Sequence, residues 1–138
     1  MDARPLRRPA ALVLTGSAAA LALAAMALIQ GTGTQEAVFE GRYTSGFEVS
    51  GFDPCGERWS GESWWVMADS AARAGLRASL DEVREGRGPG DYVTIFVEVR
   101  GAVTDTGRYG HVGAYDRRLR VTELLSARPA DSAACPDR

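Results

Sequence analysis

Lysine is absent from these 138 residues: all 16 basic side chains are arginine, set against 18 acidic ones for a net charge of −2. A Schiff-base lysine and a phosphate-loop lysine are thereby excluded. Histidine occurs once and cysteine twice. That rules out a metal site built on two His, a four-cysteine zinc site and an iron–sulfur cluster held by four thiolates. No metal and no cofactor is expected. Excess positive charge is lacking too, and with it the electrostatic footprint of nucleic-acid binding.

What is present starts with a leader. Arg4, Arg7 and Arg8 precede an apolar run from Ala10 to Ile29, 20 residues without a charge, broken only by Thr15, Gly16 and Ser17. A positive flank followed by an apolar run is the pattern of a secretory signal. The run also reaches the roughly 20 residues that a membrane-spanning helix needs. Residues 1–30 are therefore read as a signal peptide or an uncleaved N-terminal anchor. Either places the remainder outside the cytoplasm, periplasmic or otherwise extracytoplasmic, because the arginines stay on the cytoplasmic side. Any membrane contact is expected through this segment alone.

Without residues 1–30, which carry three Arg and Asp2, 13 basic and 17 acidic residues remain, net −4, in about 108 residues. That is one domain with one modest core. Cys55 and Cys135 both survive, and an even pair in an exported domain suggests a disulfide. Two unpaired thiols, one in a loop and one in a tail, are the alternative.

Residues 31–36 read as a polar linker. Extended patterns follow at 38–44, 47–52 and 62–68, the last carrying Trp64 and Trp65. Adjacent residues on a strand face opposite sides, so one Trp belongs to the core and the other to solvent, the helix or a partner. Asp69 or Ser70 then caps a helix to about Glu85, with Ala72, Leu76, Leu80 and Val83 on one stripe. Residues 92–103 form the clearest strand: Val93, Ile95, Val97 and Val99 alternate on one face, with Tyr92, Thr94, Phe96, Glu98 and Arg100 on the other. A loop at 105–116, rich in Gly and Tyr, leads to a last strand at 118–127, and Pro129 is expected to end order. The domain is thus placed at 37–128, with a C-terminal tail at 129–138.

Three strands, a helix and two strands is the order of the five-stranded Greek-key barrel called the OB-fold, with its helix between strands three and four. The chain is expected to be mainly β. The residues Gly41-Arg42-Tyr43, Phe47-Glu48-Val49-Ser50, Pro54-Cys55-Gly56, Glu62 and Trp64-Trp65 resemble small exported bacterial proteins of unknown function. So does the run from Gly107 to Arg117. The resemblance spans roughly residues 38–128 and implies an envelope-located OB-like barrel; it implies no activity.

The OB-fold's usual binding face is formed by strands two and three with their flanking loops. Mapped here, it offers Glu48, one of Trp64 or Trp65, and Tyr109, His111 and Tyr115 as an aromatic platform of the kind that suits sugars or bases. The same aromatics would serve equally to close a small core. His111 as the base of a small hydrolase is a weaker alternative, because no Gly-x-Ser-x-Gly elbow is present. The expectation is a non-enzymatic envelope domain that binds an envelope protein or a glycan-like ligand, or else a structural accessory module.

Overall fold

The computed structural model describes residues 35–88, 90–132 and 135. Residues 1–34, which include the expected leader and most of the expected linker, lie outside the described residues. Five strands appear: β1 (Ala37–Gly46), β2 (Val49–Pro54), β3 (Trp64–Ala68), β4 (Val93–Val103) and β5 (Arg117–Pro129). One α-helix, α1 (Ser70–Val83), lies between β3 and β4, and single 3-10 turns occupy Glu57–Trp59, His111–Gly113 and Ala130–Ser132.

The strands close into a barrel in the order β1-β2-β3-β5-β4. β3 and β5 are parallel, and the other neighbours are antiparallel. β1 closes the cylinder: its length pairs with β4 from Ala37 opposite Gly101 to Ser45 opposite Val93, and its second half pairs with β2 as well. Closure leaves no full-length sheet edge to template further strands.

The expected period-2 face of β4 is the core. Val93, Ile95, Val97 and Val99 are at most 1% exposed and pack with Phe52, Trp64, Leu119 and Val121. The helical stripe is buried as expected at Ala72, Leu76 and Leu80, with Val83 packed at its margin. At roughly 25 cal/mol per Å² of apolar surface, this shared cluster is the main force holding helix to barrel.

Several boundaries differ from the sequence pattern. The first hairpin turns at Phe47-Glu48, after Gly46 pairs with Val49. Phe47 is therefore 73% exposed rather than in phase with Val49. Glu48 takes the left-handed conformation, φ 57°, where a glycine would ordinarily announce the turn. β3 begins at Trp64 rather than at residue 62, because Glu62 turns its carboxylate to Trp64 and Arg117. Asp69 precedes α1 but makes no side-chain cap; Arg120 engages its carboxylate. Tyr92 stands outside β4 and is 59% exposed. Phe96 faces outward as the alternation requires, yet is only 3% exposed, with the Arg128 guanidinium 4.6 Å from its ring centroid. Pro129 does not end order. A 3-10 turn follows it, and Cys135 is bonded to Cys55 with 5.4 Å between their Cα atoms.

Candidate functional site

Register decides which tryptophan is available. On β2 and β3, Gly51 lies opposite Trp65 and Phe52 opposite Trp64. Phe52 and Trp64 point inward together. Trp64 is fully buried, with Phe39, Phe52 and Trp59 at centroid distances of 5.3, 5.8 and 4.9 Å. Its indole N–H donates to Glu62 Oε2 at 2.8 Å. Trp64 is thus a core residue with its one polar atom satisfied, and of the two tryptophans Trp65 is the one on the outer face.

The same carboxylate anchors the start of β5. Arg117 Nε donates to Glu62 Oε2 at 2.8 Å, and Arg117 Nη1 donates to the Thr104 carbonyl at 3.0 Å. Both partners of the ion pair are mostly covered, with side chains 19% and 24% exposed. The hydrogen bond from Arg117 holds the Glu62 carboxyl below its ordinary pKa, against the opposing pull of desolvation.

The connection between β4 and β5 folds back over the outer face of β2 and β3. Tyr109 and Tyr115 exchange backbone hydrogen bonds at 3.0 and 3.2 Å. Asp116 accepts from the Ser63 N–H through its carboxylate and donates its own N–H to the Ser63 carbonyl. Tyr115 then reaches across Gly51: a Cβ on that glycine would sit 3.1 Å from the ring. Trp65 lies against Tyr115 with centroids 5.2 Å apart. Gly110 completes the contact, since a Cβ there would come within 2.6 Å of the Trp65 ring. Its φ of 69° is also one that glycine adopts without strain. Burial raises the Tyr115 phenol above its ordinary pKa.

At the loop tip, His111 Nε2 lies 3.2 Å from Glu48 Oε2, both side chains about half exposed. This contact ties the β4–β5 loop to the β1–β2 turn. Val112, the next residue, is left-handed at φ 51° and 79% exposed. Among the described residues no serine hydroxyl bonds His111. Tyr109 lies farther along the loop, its hydroxyl donating to the Asp105 carbonyl at 3.2 Å and its ring 5.8 Å from the Arg118 guanidinium. Of the residues named for the platform, Glu48 contacts His111 and Trp65 contacts Tyr115. Tyr109 joins them through its backbone pairing with Tyr115, and Trp64 does not join.

Sequence reasoning missed a groove of about 920 Å³ beside this face, lined among others by Met67, Asp69, Arg73, Arg118 and Arg120. Arg118 and Arg120 alternate on β5 around the buried Leu119, and that i, i+2 spacing was the available signal for an outward basic stripe. Among the described residues no group of three His, Cys, Asp or Glu side chains is placed to hold a metal ion. Comparison of the chain with protein families, curated proteins and solved structures finds no match.

Proposed function

We propose that this chain is an exported, non-enzymatic OB-like domain that binds a ligand or protein of the cell envelope on the outer face of β2 and β3. The fold name is supported by the strand order β1-β2-β3-β5-β4, the parallel β3–β5 pair and the helix after β3. Residues 1–30 act as its export signal or anchor. An extracytoplasmic location is compatible with the disulfide, since such bonds persist in oxidising compartments.

The observation that carries the reading is the construction of the β4–β5 loop over that face. Gly51, Gly110, Tyr115 and Trp65 fit one another closely, and Glu48 and His111 clip the loop at its tip. A built and only partly exposed aromatic surface next to an open groove is suited to stacking against a flat or ring-shaped ligand group.

The test is retention of the purified exported protein on an isolated cell-envelope fraction. Wild-type protein is expected to be retained, and Trp65→Ala to weaken retention by about fivefold or more, in line with about 1–3 kcal/mol for one aromatic stacking contact. Retention indifferent to Trp65→Ala, or no retention at all, would remove the basis of the proposal.

A further inference from the structure

Resting on the reading of the chain as a binding domain, we infer that its ligand is an acidic glycan, held along a trough of arginines that runs from β5 across β3 to α1. Two grooves make up the trough. The first is the groove of about 920 Å³ that contains Arg118 and Arg120. The second, of about 500 Å³, lies between α1 and the barrel and is lined by residues including Ser45, Ser50, Trp65, Arg77 and Arg84. Both include Met67, Ala68 and Arg73, so they meet at that point.

The charge balance of the trough differs from that of the domain. Five arginines line it, Arg73, Arg77, Arg84, Arg118 and Arg120, against the three carboxylates Glu36, Asp69 and Asp81. The chain beyond residue 30 has the opposite sign, net −4. Among the described residues, Arg120 alone of the five forms a carboxylate pair, with Nε and Nη2 each 3.2 Å from Asp69. Arg73 donates to the Ala68 carbonyl at 2.8 Å, which leaves most of its guanidinium donors unused. The Arg118 guanidinium lies 5.8 Å from the centroid of the Tyr109 ring. The Nε of Arg84 is buried and has no hydrogen-bond partner among the described residues.

The remaining lining suits a sugar polymer. Met67, 51% exposed, stands where the grooves meet, and Trp65 borders the second. Guanidinium groups take carboxylate or phosphate oxygens through paired N–H donors. The thioether and indole offer apolar surface to the faces of the rings between those charges. An open trough of alternating cationic and apolar groups fits an extended acidic chain better than a single small anion.

The experiment uses the full chain in its exported form, purified and titrated calorimetrically with four probes: polygalacturonate, phosphomannan, neutral dextran and single-stranded oligothymidylate. Binding to one or both acidic glycopolymers, absent for dextran and weakening as salt rises, is expected; the two acidic arms separate carboxylate from phosphate as the source of the anion. Arg73→Ala with Arg118→Ala should weaken that binding at least tenfold. Arg100→Ala, whose side chain pairs with Glu123 on the outer face of β4 and β5, should leave it unchanged. Melting curves of all variants establish that they are folded, and Arg73→Lys with Arg118→Lys is expected to restore part of the affinity. No binding to either acidic polymer overturns the inference, as does binding that survives loss of both arginines or is tighter for oligothymidylate. Envelope retention that still depends on Trp65 in any of these cases would leave the broader binding proposal standing and remove only this ligand class.

Discussion

Removing the Cys55–Cys135 bond should lower the stability of the domain by about 4–5 kcal/mol while leaving its fold intact. The two cysteines are 80 residues apart in sequence. Closing a loop of that size in the unfolded chain costs, by the chain-entropy relation, roughly 15 cal/mol/K, or about 4.5 kcal/mol at 25 °C. The native barrel does not depend on the bond for closure. Arg128 and Pro129 already pair with Phe96 and Ile95 on β4, and the buried valines of β4 lie far from the bridge in sequence. The loss should therefore fall on the unfolded state, made more expanded, and locally on Cys135. For a domain of this size each kcal/mol moves Tm by about 4 °C or more, so Cys55→Ser with Cys135→Ser should melt roughly 15–20 °C below the oxidised protein. Calorimetry gives the shift, and urea titration should show a larger m-value for the variant, whose unfolded chain exposes more surface. A Tm within about 5 °C of the oxidised protein would refute the entropic reasoning. Failure of the variant to fold at all would refute the claim that the barrel is self-sufficient.

Other perturbations test separate parts of the structure. Glu62→Gln should cost about 1–3 kcal/mol, because Arg117 loses a charge-assisted partner in a mostly covered site; Tm at pH 7 measures it. The Glu62 pKa is depressed in the folded state, so its contribution is present above the ordinary unfolded value of about 4.3 and is lost as pH falls through the folded pKa. The acid limb of the Tm–pH curve should be shallower in Glu62→Gln, and an unchanged limb would count against the ion pair. Val97→Asp places an uncompensated charge at a position 1% exposed and should unfold the domain, as read by far-ultraviolet circular dichroism. Gly110→Ala combines a left-handed backbone with a collision at Trp65 and should cost about 1 kcal/mol or more; the Trp65 indole N–H resonance should shift, while that of Trp64 stays in place.

Much of the barrel was legible because single strands carried the signal. Val93, Ile95, Val97 and Val99 alternate within one segment and line the core, and the stripe from Ala72 to Leu80 follows one helical period. The cysteine pair followed from parity and inferred export. Features that depend on pairing across the chain were not legible. Phe96 is covered by Arg128, its register partner on β5, and nothing local to either residue marks the other. The turn at Phe47-Glu48 carries a left-handed glutamate rather than a glycine, so local turn chemistry pointed two residues too early. Adjacent Trp64 and Trp65 had to face opposite ways, but only the register with Phe52 and Gly51 assigns core and surface. The arginine trough joins positions on β3, β5 and α1, and the helix arginines read in isolation only as the solvent side of an amphipathic segment.

The most direct measurement is an NMR titration of the isotope-labelled protein with solubilised envelope polysaccharide, following the Trp65 and Trp64 indole signals and the arginine Nε–H signals together. Saturable shifts at Trp65, Arg73, Arg84 and Arg118, with Trp64 and Arg100 unmoved, are predicted. Shifts confined to other surfaces, or none at concentrations that saturate envelope retention, would contradict the placement of the binding face.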